Sequence, residues 1–222
     1  YSLLGLVGDV DAAYGYFERN GYHIINNSWG IERPKRNWDG SYTGTQWSEF
    51  NELVRATADA FDPNEPSSAK GLYIMAAGNG GQHCYSRRLE KCNWIAAVTD
   101  RIRKSGFAAG PRLIFVGALD DNGVSLAGYS YYAGNLKNDF IVANDDILTS
   151  GDAAGTSFSA PRVAGAAALV KQKFPSLSSA QVKQVLLNTA DDMGSPGVDN
   201  IFGHGKLNIL QALSPKGALS PK

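Results

Sequence analysis

Three observations predict an α/β fold, a parallel sheet flanked by helices on both faces. Four short runs, "HIINNSW", "GLYIMAAG", "RLIFVGALD" and "DFIVAN", are apolar and of strand length. Other segments repeat their apolar residues at helical spacing. Glycine-rich polar turns separate the two kinds. A strand that is apolar at nearly every position is buried on both faces, as in a parallel sheet sandwiched between helices.

Val10, Ala13, Tyr16 and Phe17 recur with the period of a helix over about residues 9–20, ended by Asn20-Gly21. "HIINNSW" follows as a strand that runs out into polar residues. Residues 31–46 have no period and read as loop. "WSEFNELVRATADAF" places Phe50, Leu53, Val54, Thr57 and Phe61 on one helical face. "GLYIMAAG" is a compact strand closed by Gly78-Asn79-Gly80-Gly81, and "RLIFVGALD" a third, stopped by Asp120-Asp121-Asn122-Gly123. "DFIVAN" is a shorter fourth. Gly155 to Phe174 reads as a helix. Another starts from Leu177, where Ser178 and Gln181 have the spacing of a capping box. The sequence thus divides into one domain over residues 1–213 and a linker or tail over 214–222, where "ALSPK" repeats around a single glycine.

A chain of 222 residues with 43% hydrophobic and 19% charged residues can bury a sizeable core and is not a disordered one. Twenty-one basic residues balance twenty-one acidic ones, so no net charge points to a nucleic-acid or anionic-membrane partner. No apolar run reaches the roughly 18–20 residues of a membrane-spanning helix. The opening "YSLLGLVGD" has neither an initiator Met nor a basic leader, and reads as the start of an excised or processed piece. The only cysteines, Cys84 and Cys92, flank seven residues of the polar stretch "CYSRRLEKC". They form either a small disulfide or two unrelated thiols. The disulfide would place the protein outside the reducing cytosol.

Parallel sheets bind their substrates at the carboxyl ends of their strands, where Asn27-Ser28 and Gly78-Asn79 fall. Ser157 lies near the start of the next predicted helix, in "GDAAGTSFSAPRVAGAAAL". It is either an ordinary N-cap or a nucleophile whose oxyanion would meet free N–H groups and the positive end of the helix dipole. Asn79, in a glycine-rich turn, either takes a left-handed conformation or points its amide towards Ser157 as an oxyanion donor.

These stretches together resemble a known family. "GTSFSAP" (Gly155 to Pro161) is similar to the nucleophile motif of the subtilisin-like serine peptidases. "AAGNGG" (Ala76 to Gly81) resembles their oxyanion-hole turn, and "IINNSWG" (Ile24 to Gly30) the strand lining their substrate cleft. "LIFVGALD" and "FGHGKLNILQAL" match a later core strand and the terminal Gly-x-Gly turn and helix. The order of the motifs is the family's own and they span nearly the whole chain. Sedolisins share the Gly-Thr-Ser nucleophile but carry Asp at the oxyanion position, so Asn79 favours the subtilisin branch. A lipase-like hydrolase would need a G-x-S-x-G elbow, which is missing.

The resemblance implies a serine endopeptidase acting on polypeptides through an acyl-enzyme. Ser157 would be its nucleophile, and Asn79 with the Ser157 N–H its oxyanion hole. Ser28, Trp29 and Gly30 would hold an extended peptide as an added strand. No cofactor follows from it: calcium is common in the family, but no Asp/Asn cluster here forms a recognisable loop.

Two departures stand out. The family's Asp-Thr/Ser-Gly and His-Gly-Thr-His motifs do not occur in these residues. Neither His23, His83 and His204 nor Asp9 and Asp11 has a catalytic context. Asn144-Asp145 also stand where the family usually has Pro-Gly after the fourth strand. The expectation is therefore the C-terminal two-thirds of such a domain, incomplete at its N-terminus, with the triad Asp and His supplied by an upstream segment and little activity alone. The alternative is a catalytically incomplete homologue that binds peptides without cleaving them. The end of the chain is similar to peptidase domains of secreted or autotransported Gram-negative subtilases. With the cysteines, that implies the cell surface, periplasm or medium.

Overall fold

A computed structural model describes residues 16, 20–21, 23–28, 71–81, 112–145 and 154–216. Among the described residues four strands lie side by side in chain order and all parallel: β1 (Ile24–Asn27), β2 (Leu72–Ala76), β3 (Leu113–Leu119) and β4 (Phe140–Asn144). A 3-10 turn over Gly134–Asp139 leads into β4. The helices whose ranges lie among the described residues are α1 (Thr156–Lys173), α2 (Ser179–Asn188) and the short α3 (Ile209–Ala212).

Successive strand residues point to opposite faces, and the register sorts them cleanly. Ile74 pairs with Ile114, and Ala76 with Val116, which pairs with Ile141. These residues form one buried face with Leu72 and Ala143. Against it pack Ala160, Val163, Ala166, Ala167 and Val170 of α1 and Val182, Val185 and Leu186 of α2. Small residues on α1 let the long helix lie close to the sheet. Tyr73, Met75, Phe115, Phe140 and Val142 point the other way and are also buried, which is why β2, β3 and β4 read as unbroken apolar runs. The second predicted helix, in 47–61, lies outside the described residues.

The ends of the elements follow local chemistry. Among the described residues before β1, Asn20 donates its backbone N–H to the Tyr16 carbonyl and Gly21 turns left-handed (φ 70°), at the Asn20-Gly21 stop that the sequence predicts. At α2 both halves of the capping box form: the Ser178 hydroxyl accepts from the Gln181 N–H, and the Gln181 side chain accepts from the Ser178 N–H. Beyond β4, the stretch 204–207 adds to its open edge. His204 N–H donates to the Phe140 carbonyl, Val142 N–H to Gly205, and Leu207 N–H to Val142, so the strand does not end the sheet bare.

Candidate active site

The carboxyl ends of β1 and β2 meet the start of α1, and three sequence-predicted residues come together there: Ser28, Asn79 and Ser157. The N-cap of α1 is Gly155, which has no side chain with which to cap the helix. Ser157 is thus the second residue of the helix, with its N–H among the first-turn donors that lack an intrahelical partner. Its hydroxyl is not spent on capping.

Thr156, which the sequence reading did not single out, orients Asn79. The Thr156 N–H donates to Asn79 Oδ1 at 2.9 Å, and the Thr156 hydroxyl donates to the same oxygen at 2.9 Å. That hydroxyl in turn accepts the Gly78 N–H at 3.0 Å. A backbone N–H can only donate, so the amide atom facing Thr156 must be the oxygen. Nδ2 is therefore turned the other way. It lies 2.9 Å from the point where a Cβ on Gly155 would stand, and Ser157 Oγ lies 3.2 Å from that point. An amide donor and a hydroxyl crowd one position that only glycine leaves open. Gly155 backbone is extended (φ 168°), so it is this close approach that requires glycine. The left-handed place in the Asn79 turn belongs to Gly78 (φ 110°).

Pro161 links Ser157 to Ser28 at the end of β1. Proline has no N–H, so it leaves the carbonyl four residues back without its helical partner. That carbonyl is Ser157's. The Ser28 hydroxyl fills the gap, donating to Ser157 O at 2.9 Å, and itself accepts from Asn26 Nδ2 at 2.8 Å. A proline four residues after a candidate nucleophile is the sequence signal for this link. Trp29, Gly30, His83, Cys84 and Cys92, as well as Asp9 and Asp11, lie outside the described residues.

The two described histidines are remote from Ser157. His23 is exposed and precedes β1, at the end of the sheet opposite Asn79. His204 sits beside Phe140, the first residue of β4, whose register neighbours Phe115 and Met75 place it four residues short of Asn79, about 13 Å at 3.3 Å per residue. Burial holds the His204 imidazole below its usual pKa, and the Lys183 charge adds to this. Hydrogen bonds to the backbone of Asn138 and Leu187 act the other way. Among the described residues no group of three or more His, Cys, Asp or Glu is placed to hold a metal ion, and no helix is long and apolar enough to cross a membrane.

Residues 5–205 match the Subtilase family profile. The chain belongs to the subtilase family. Among its relatives, serotype-specific antigen 1 of Mannheimia haemolytica is 28% identical over 214 residues, which cover 88% of this chain and 21% of that protein. The autotransporter lipoprotein NalP of Neisseria meningitidis serogroup B is 51% identical over 61 residues, 28% of this chain and 6% of that protein. The chain thus spans about a fifth, or less, of the length of these relatives. The crystal structure of MycP1 from Mycobacterium smegmatis superposes on this subtilase with a TM-score of 0.62 at 22% identity, covering 99% of this chain and 57% of that one. It shares the parallel sheet and helices.

Proposed function

We propose that this subtilase chain carries the nucleophile and oxyanion hole of a serine endopeptidase. Ser157 Oγ attacks the scissile carbonyl carbon. Its proton passes to a His and then to the leaving amine, and water hydrolyses the acyl-enzyme by the same route reversed. The Asp and His come from a segment upstream of Tyr1. Asn79 Nδ2 and the Ser157 N–H stabilise the tetrahedral oxyanion. Ser28, Trp29 and Gly30 offer the strand edge to an extended peptide. One observation carries the reading. Thr156 takes up Asn79 Oδ1 through both N–H and hydroxyl, leaving Nδ2 as a donor beside the uncapped Ser157.

A fluorophosphonate probe tests this. It should label Ser157 rapidly when the segment bearing Asp and His is present, joined or bound, and slowly or not at all in the 222 residues alone, because an unassisted hydroxyl is a weak nucleophile. Rapid labelling of the isolated chain would place the base within it. No labelling of the complete protein would establish a peptide-binding homologue instead.

Location outside the cytoplasm is part of the same proposal, supported by relatives named as an extracellular serine protease of Serratia marcescens and an autotransporter lipoprotein. It makes Cys84–Cys92 a disulfide, with a contribution of about 2–3 kcal/mol for so short a loop. Mass spectrometry of a non-reduced digest should recover the two cysteines linked. Two free thiols in freshly secreted protein would exclude the bond.

A further inference from the structure

We propose that Tyr129 and Asp145 form a clasp that positions the oxyanion turn, a role that rests on Asn79 acting as the oxyanion donor. Asp145 follows the last residue of β4 and is buried, with 7% of its surface exposed. It stands where the family resemblance leads one to expect the glycine-proline chemistry of a plain turn, and a carboxylate there calls for a partner. The Tyr129 hydroxyl donates to Asp145 Oδ2. At its other end, the Tyr129 carbonyl accepts the Gly81 N–H at 2.7 Å. Gly81 is two residues beyond Asn79, and the fit there is backbone against backbone: a Cβ on Gly81 would come within 2.6 Å of the Tyr129 carbonyl oxygen and 2.7 Å of Ser130's.

The turn after β2 is thus tethered on both sides of Asn79. Before it, Ala77 N–H reaches the Val116 carbonyl and Gly78 N–H the Thr156 hydroxyl. After it, Gly81 rests on Tyr129. The loop that carries Tyr129 is fixed to β3, where the Ser130 hydroxyl accepts the Ala118 N–H at 3.1 Å and Ala127 N–H donates to Ala118 O. Asp145 adds the hold from β4. The end of β4 therefore sets where the far side of the oxyanion turn sits, across the whole width of β3. Both residues are positioning residues: they act through Asn79 and touch no substrate in this reading.

The experiment is a double-mutant cycle in the active peptidase, with the segment bearing Asp and His present. Asn79→Ala should lower kcat by roughly 10²–10³ with KM nearly unchanged, the loss that follows removal of an oxyanion-hole Asn in a subtilisin. Tyr129→Phe keeps the ring and should lower kcat by roughly fivefold to twentyfold, again with little change in KM, since the turn still forms but aims its donor less well. In the Asn79→Ala background Tyr129→Phe should have almost no effect. Asp145→Ala should match Tyr129→Phe, and Asp145→Asn, which still offers an acceptor oxygen, should restore most of the activity. A Tyr129→Phe loss that multiplies through on Asn79→Ala, or that falls on KM, overturns the clasp alone. An Asn79→Ala enzyme with unchanged kcat removes the oxyanion donor itself, and the clasp with it.

Discussion

Replacing Ser157 by Ala is expected to lower kcat by about 10⁶-fold in the active peptidase, the size of loss that removing the serine brings in a subtilisin triad. The fold should hardly notice. A serine that caps a helix costs about 0.5–2 kcal/mol when lost, but Gly155 is the cap of α1 and Ser157 lies inside the first turn. Alanine is also the better helix former by a few tenths of a kcal/mol. Thermal denaturation of the variant should therefore agree with the parent within about 0.5 kcal/mol. A large loss of stability would mean that the hydroxyl serves the helix, and a surviving kcat would remove Ser157 as the nucleophile.

The second large effect is on stability and concerns the opposite end of the sheet. Asp139, at the close of the 3-10 turn before β4, is paired with Lys183 on α2, and their side chains are 6% and 7% exposed. Removing one partner leaves the other charge buried without compensation, a cost of about 3–5 kcal/mol. Asp139→Ala should therefore lower Tm by roughly 6–20 °C, at about 2–4 °C per kcal/mol for a chain of this size. Replacing the pair together, Asp139→Leu with Lys183→Met, should recover most of that, because no charge is then left in the interior. Calorimetry on the three proteins separates the cases. A single variant within 1 kcal/mol of the parent would show that water reaches the pair.

What the sequence made legible was whatever has a local signature. Strands buried on both faces are apolar at nearly every position, so β2, β3 and β4 stood out. The helix starts at Gly155 and Ser178 rested on residues one to three apart. Asn79 stands out in its glycine-rich turn, and Ser157 just after Gly155 at the start of a helix. Contacts between distant segments leave no such trace. Nothing near Asp139 announces Lys183, and nothing near Asp145 announces Tyr129. Thr156 was hidden in another way, as a short hydroxyl residue between two more conspicuous ones. Ser28 reads from the sequence as part of a strand edge for a peptide, and the bond of its hydroxyl to the Ser157 carbonyl is a further contact with no local signature in β1. The absent N–H of Pro161 was the available hint.

The site's hydrogen bonds also dictate when it can come into being. Ser28 reaches Ser157 across 129 residues of chain, Gly78 reaches Thr156 across 78, and Asn79 reaches Thr156 across 77. Contacts so distant in sequence carry the full entropy of loop closure and form only after the segments between them are in place. Here those segments include β3 and β4. During synthesis, the hydroxyl of Ser157 and the amide of Asn79 stay apart until the ribosome has passed the start of α1 and the sheet has been laid down in order. A nascent chain of this protein therefore holds neither the Asn79–Thr156 nor the Ser28–Ser157 hydrogen bond until the start of α1 has emerged.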